Sequence, residues 1–185
     1  SILPDDSAGL PLQLSPPGRF LRHVANLFTR RLEGEALLTL LKHPLCHDGG
    51  ERGNHLLHTR DLELDLRRNG PPFPDSISLT AFAVRKEAPE SWVRWIVHHF
   101  CNQQVSGELH LSDWVERLTA LAEAISAGST GETGTLWDKN AGQKALAVVN
   151  SLRDEAQHGG PMTAHDFADL LGALLAGEEV RDRDA

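Results

Sequence analysis

The 185-residue chain contains no tyrosine, one methionine and two cysteines. Valine, isoleucine and tyrosine together number 13, against 29 leucines and 19 alanines. β-Branched and aromatic residues favour strands, whereas leucine and alanine favour helices, so this balance excludes an all-β or doubly wound fold. Two cysteines, Cys46 and Cys101, do not make a disulfide framework and fit a reducing compartment. No apolar run nears the roughly 20 residues needed to span a bilayer. No basic, then apolar, then small-residue segment opens the chain as a secretory signal would. The expectation is a cytoplasmic protein with no membrane partner. Basic residues are also in deficit: 18 Lys and Arg against 26 Asp and Glu leave a net charge of −8. A free-standing nucleic-acid binder shows a basic excess, so strong sequence-independent DNA binding by this chain alone is not expected.

Catalytic motifs are missing as well. There is no GxSxG nucleophile turn, and no cysteine–histidine pair that the sequence places together. Gly128–Gly134 is glycine-rich but lacks the GK[ST] ending and a preceding strand, so it reads as a flexible surface loop and not a phosphate cradle. His43, Cys46, His47, His55 and His58 are the most tempting metal donors. No CxxC accompanies them, and adjacent ligands at 46 and 47 suit a tetrahedral site badly. His98, His99 and Cys101 fail similarly, because a helix cannot aim neighbouring histidines the same way. Carboxylate pairs such as Asp61 with Asp65 fall four apart on a helix, where like charges only repel weakly. No catalytic residue, metal, cofactor or small-molecule substrate is expected.

What is present is helical patterning. Ser15 can cap a helix whose first turn takes Pro16-Pro17 and which runs to about Arg31, burying Phe20, Val24, Leu27 and Phe28. Gly34 separates it from a short helix carrying Leu37, Leu38, Leu40 and Leu41, and Pro44 ends that helix at His43. A third helix follows the turn at 43–53 and runs to about Arg68, with Leu57 and Leu64 seven apart and Leu62 and Leu66 four apart. Asn69-Gly70 supplies a left-handed stop. Ser76 to Lys86 predicts a fourth helix. Trp92, Trp95, Ile96 and Phe100 predict a fifth. Ser112 can cap a sixth, with Trp114, Leu118, Leu121 and Ile125 on one face. Trp137, Ala141, Ala145, Val148, Val149 and Leu152 trace a seventh, and Phe167, Leu170, Leu171 and Leu174 an eighth behind a Thr163–Asp166 capping box. The tryptophans all fall at periodic positions, which assigns them to core packing and not to base stacking. The result is an all-α, irregular bundle of about eight helices without internal repeats. Its body spans 15–177, between an irregular lead-in at 1–14 and a charged lead-out at 178–185. The chain opens at Ser1 and stops in a charged run, and it reads as a piece of a larger protein.

The charge is uneven. Residues 1–70 hold nine basic and nine acidic side chains, whereas 71–185 hold nine and seventeen. Any phosphate contacts belong to the neutral first part, where Arg19, Arg22, Arg30, Arg31, Lys42, Arg52, Arg60, Arg67 and Arg68 are the candidates. Most of these read as solvated helix-face charges. Between the second and third helices, Lys42-His43-Pro44-Leu45 is followed by Gly49-Gly50-Glu51-Arg52-Gly53. Backbone N–H groups at such a helix start can receive a phosphate, with Lys42 and Arg52 adding charge. Lys42, Gly49, Gly50, Arg52 and Arg60 are therefore the candidate nucleic-acid-binding residues.

The same region carries a resemblance. GRFLRHVANLF (18–28), ALLTLLKHPLCHDGGERGNHLLHTRDLELDLRRNGPP (36–72) and GPMTAHDFADLLGALLAGEEVRDRDA (160–185) resemble the AddB subunits of alphaproteobacterial AddAB helicase–nucleases. The stretch at 75–158 is less distinctive. The resemblance implies a superfamily-one helicase region without ATPase function and, elsewhere in the protein, a nuclease domain. It implies a complex with an AddA-like subunit that processes double-strand DNA ends for recombinational repair. It also implies that this chain is the accessory helical subdomain inserted into the second motor domain. In UvrD-like relatives a "P.RGIG"-like turn touches duplex DNA. Here Pro44 and Gly49-Gly50 match loosely, and Cys46-His47-Asp48 replaces the basic stretch. The expected role is non-catalytic support of DNA binding and positioning. The rival reading is a helical protein–protein interaction or scaffold module without nucleic-acid contact, which the net charge favours. A metal-dependent enzyme built on the histidine cluster is a third.

Overall fold

A computed structural model describes residues 9–128 and 134–181. Among these residues the chain forms eight α-helices and two short antiparallel ribbons. Helix α1 spans Pro16–Asn26, α2 Gly34–Lys42, α3 Arg52–Asn69 and α4 Ser76–Lys86. Helix α5 spans Glu90–Phe100, α6 Leu111–Ser126, α7 Lys139–Glu155 and α8 Ala164–Ala176. The expected all-α class is what the chain adopts. Most of the glycine-rich stretch assigned to a loop, 129–133, lies outside the described residues, as do 1–8 and 182–185.

Helix α1 sits at the centre, with α2, α6, α7, α8 and the 3-10 turn Leu12–Leu14 packed around it. Its start follows from Ser15, whose hydroxyl accepts from Gly18 N–H at 3.2 Å and donates to Leu12 O at 2.6 Å. The helix ends at Asn26 and not near Arg31. Leu27, Phe28 and Thr29 each donate three residues back, so a tighter turn closes the element and swings Phe28 inward. Phe28 and Phe167 flank Trp114, at ring separations of 5.9 and 5.8 Å. The Trp114 indole N–H donates to Met162 O at 2.9 Å, so this fully buried ring leaves no polar group unpaired.

Several local expectations are corrected. Strand β1 (Leu10–Pro11) pairs with β4 (Glu179–Val180), and Leu12 and Val180 are wholly buried. The described parts of the lead-in and lead-out therefore belong to the packed body, which reaches beyond 15–177 on both sides. Strand β2 (Glu108–His110) pairs with β3 (Pro161–Thr163), a ribbon too short for alternation to reveal. The cap of α6 is His110, whose ring accepts from Ser112 N–H at 3.3 Å, and not Ser112. Thr163 does cap α8, accepting from Asp166 N–H at 3.2 Å. On α8 the deeply buried member of the last stripe is Leu175, with Leu174 exposed. On α3, Leu62 is buried but Leu57 and Leu64 face solvent. Gly70 is extended and not left-handed. It is needed for space, since a Cβ there would lie 2.6 Å from Leu66 Cα.

The α6–α8 junction makes Trp114 a sensitive position. Trp114→Ala is expected to lower unfolding free energy by about 3–5 kcal/mol. Trp114→Phe removes only part of the ring and the bond to Met162, and is expected to lower it by about 1–3 kcal/mol. Urea unfolding followed by circular dichroism measures both, and a Phe variant as stable as the parent would show that the Met162 bond contributes nothing.

Candidate nucleic-acid interface

The turn between α2 and α3 is built largely from its own polar groups. Pro44 holds His43 extended (φ −64°, ψ 137°), which stops α2. His43 Nδ1 then accepts from Leu45 N–H at 3.1 Å, and its ring lies 5.0 Å from that of Phe20. Asp48 Oδ1 accepts from Gly50 N–H at 3.0 Å, with Gly49 in the left-handed region at φ 95°. Arg52, at the first position of α3, reaches back to donate to Cys46 O at 2.9 Å and His43 O at 3.2 Å. His47 N–H donates to Ile125 O at 2.8 Å and ties the turn to α6.

This geometry bears directly on the five candidate residues. The Gly50 N–H and the Arg52 guanidinium are engaged within the turn. A phosphate at Gly49-Gly50 would meet the Asp48 carboxylate. Lys42 is paired with Glu63, and that hydrogen bond holds the Glu63 carboxyl below its ordinary range. Arg60 is exposed on α3 with no hydrogen bond or ion pair among the described residues.

A different set of cations converges beside the turn. The solvent edge of α1 carries Pro16, Arg19 and His23; that of α2 carries Thr39 and Lys42. Together with His43 they wall an open groove of about 390 Å³, whose rim includes Leu14 and Pro44. The groove depends on close packing of the 3-10 turn against α1. A Cβ on Gly18 would lie 2.0 Å from Leu12 O, so this close approach of the 3-10 turn to α1 requires glycine. Arg22 adds a bond from its guanidinium to Gln13 O at 3.4 Å.

The two groove histidines feel cations, while the groove's Lys42 is paired with the Glu63 carboxylate. Burial lowers the His23 pKa from its ordinary 6.5, and Arg19 and Arg22 lower it further. Burial, then His23, Arg19 and Arg52, bring His43 to about 4, against a backbone hydrogen bond to Pro16 that raises it. Every charge acting on these two rings is cationic. Sequence reasoning named Lys42 as a candidate, left Arg19 among nine scattered cations and gave His23 no role. The available signal was the 19/23 spacing on α1, which puts both residues on one edge.

Of the other histidines, His55 has a clear structural role. His55 is buried, its Nε2–H donating to Leu41 O at 2.7 Å while Nδ1 accepts from the Trp92 indole at 3.0 Å. Among the described residues no group of three or more His, Cys, Asp or Glu side chains is placed to hold a metal. Cys46 and Cys101 are free and buried. Burial pushes the Cys46 thiol well above its ordinary range and Cys101 up to about 11, which keeps both unreactive. Of the four tryptophans, Trp92, Trp114 and Trp137 are buried and Trp95 is half-buried. Comparison with protein-family models, curated proteins and solved structures finds no match.

Two outcomes follow for the turn. Arg52→Ala removes two charge-assisted bonds to buried carbonyls and is expected to cost about 1–3 kcal/mol in urea unfolding. An unchanged midpoint would mean that the guanidinium does not hold the turn. Acid should also destabilise the fold, because His43 and His55 are kept neutral while the unfolded chain protonates near 6.5. Their contribution is complete above that pH. For His43 it is lost as pH falls from 6.5 toward about 4, at about 1.4 kcal/mol per pH unit, and for His55 it falls in the same direction below 6.5. Glu63 and Asp75, whose pKa values are lowered from 4.5 and 3.8, add to the loss only at more acid pH. A urea midpoint that stays constant from pH 7 to 5 would show that these rings titrate freely.

Proposed function

We propose that this chain is a non-catalytic helical subdomain of an AddB-like subunit. In this reading it acts in double-strand DNA break repair, supporting DNA binding and positioning in a helicase–nuclease complex with an AddA-like partner in the cytoplasm. The three sequence segments at 18–28, 36–72 and 160–185 motivate the family. The observation that carries the DNA contact is the groove between α1 and α2, where Arg19, His23 and Lys42 meet in a chain of net charge −8. The phosphate contact is assigned to this groove in preference to the glycine turn, because the turn's Gly50 N–H and Arg52 are engaged and the Asp48 carboxylate stands beside them, whereas Arg19 and His23 accompany the Glu63-paired Lys42 in the groove. The antiparallel pairing of β1 with β4 brings residues 10 and 180 together, an arrangement that suits a helical body inserted within another domain. Buried free thiols suit a reducing cytoplasm.

One observation favours the interaction-module reading instead. Ile77 and Val84, seven apart on α4, are 79% and 78% exposed. Beside them an open groove of about 460 Å³ between α4 and α5 is lined by Ala83, Val93 and Val97. Glu87, Glu90 and Arg94 also line this groove, and exposed apolar side chains with charged neighbours suit a protein contact.

Salt titration separates the two. Neutralising phosphates releases counterions, so DNA affinity must fall as salt rises, by a log–log slope of about −0.9 per contact on duplex or about −0.7 on single strands. An Arg19→Ala, Lys42→Ala double variant is expected to bind an oligonucleotide more weakly and to reduce that slope by about 1 to 2. Arg117→Ala on α6 should leave both values near those of the parent. Binding that ignores salt, or a double variant that matches the parent, would exclude the groove as a phosphate contact and favour the interaction module.

A further inference from the structure

We propose that phosphate binding in the α1–α2 groove is proton-coupled: His23 gains a proton from solvent as a DNA phosphate seats between it, Arg19 and Lys42. The inference rests on the DNA-binding reading above. His23 is half-buried in the groove wall and makes no hydrogen bond among the described residues, so its ring is uncommitted. Arg19 and Arg22 face it from its own helix. From α2 come Lys42 and His43, and Arg52 reaches the His43 carbonyl from α3. The carboxylate touching this wall is Glu63 on α3, and it is tied to Lys42. Helices α6, α7 and α8 also pack on α1, yet none sends a charge to the His23 ring.

Without a phosphate, partial burial and then Arg19 and Arg22 disfavour an imidazolium and favour the neutral ring. An arriving phosphate reverses the balance. It neutralises Arg19, competes with Glu63 for Lys42 and offers the ring an anionic acceptor, so the charged imidazolium becomes the favoured form. His43 cannot take this role. Its Nδ1 already accepts from Leu45 N–H, and protonation there would break that bond. The groove therefore holds two histidines with different tasks: His43 fixes the wall and His23 responds to the ligand.

The test is the affinity of the 185-residue chain for a short single-stranded oligonucleotide at fixed low salt, between pH 7.5 and 6. Parent affinity should rise as pH falls, by up to about tenfold per pH unit, the limit for one linked proton. His23→Gln keeps a polar side chain of similar reach but cannot titrate, and its affinity should not respond to pH over this range. NMR of the parent should show the His23 ring titrating at higher pH once oligonucleotide saturates the site. A His23→Gln profile identical to the parent's, or a His23 titration unmoved by oligonucleotide, would overturn proton coupling while leaving salt-dependent DNA binding intact. No salt-dependent binding at any pH would remove both this inference and the DNA-binding reading.

Discussion

Burial of α1 is the constraint from which the rest of the molecule is arranged. Four helices and a 3-10 turn pack around only 11 residues. Pro17, Gly18, Phe20, Leu21, Val24 and Ala25 are all buried, leaving one narrow edge of Pro16, Arg19, Arg22, His23 and Asn26. An element so enclosed has no other place for its charged side chains. Helix α2 presents its own solvent edge, with Thr39 and Lys42, across the gap. The cationic groove is thus a consequence of core packing: apolar residues claim nearly every direction around α1, and the cations share what remains.

The turn from α2 to α3 illustrates the opposite use of polar groups. Its carbonyls and N–H groups lie close to the core, where unpaired ones would be costly. Arg52 answers two of these carbonyls, His43 and Asp48 answer two N–H groups, and Ile125 O answers a third. One layer further in, Leu41 O, His55 and the Trp92 indole form a continuous hydrogen-bonded chain joining α2, α3 and α5. The paired groups are Leu45, His47 and Gly50 N–H, the Cys46 and His43 carbonyls and the Arg52 guanidinium, whereas the N-cap Glu51 makes no side-chain bond to the first N–H groups of α3. A glycine-rich helix start beside a lysine and an arginine looks like a phosphate site in sequence. In three dimensions the same atoms hold the fold together.

Most helices were legible in the sequence from apolar residues at helical spacing and from their capping or breaking residues. Trp114, Leu118, Leu121 and Ile125 fall on one face of α6 and all are buried there. What was not legible depended on partners distant in sequence. Leu57 and Leu64 have a helical spacing yet point outward, because α3 turns Leu62 to the core instead. The two-residue and three-residue ribbons are too short to alternate visibly, and their partners lie about 50 to 170 residues away. The candidate site divides the same way. Lys42 was visible as a cation, but its pairing with Glu63, 21 residues on, was not. His23 gained meaning only when α1 and α2 were laid side by side.

Net charge and local charge then pull in different directions, and distance decides between them. At physiological salt, charges further apart than about 8 Å are largely screened where solvent lies between them. The acidic excess belongs to residues 71–185, whereas the groove is walled by residues 14–44. Arg19, His23 and Lys42 wall the groove directly, and Glu63 is paired with Lys42. An anion entering the groove meets this local field before the charge of the whole molecule. At low salt the screening length grows to about 30 Å at 0.01 M, and the acidic remainder is felt again. The overall charge therefore slows the approach of a polyanion without deciding what the groove holds, and a chain of net charge −8 can still carry a phosphate seat.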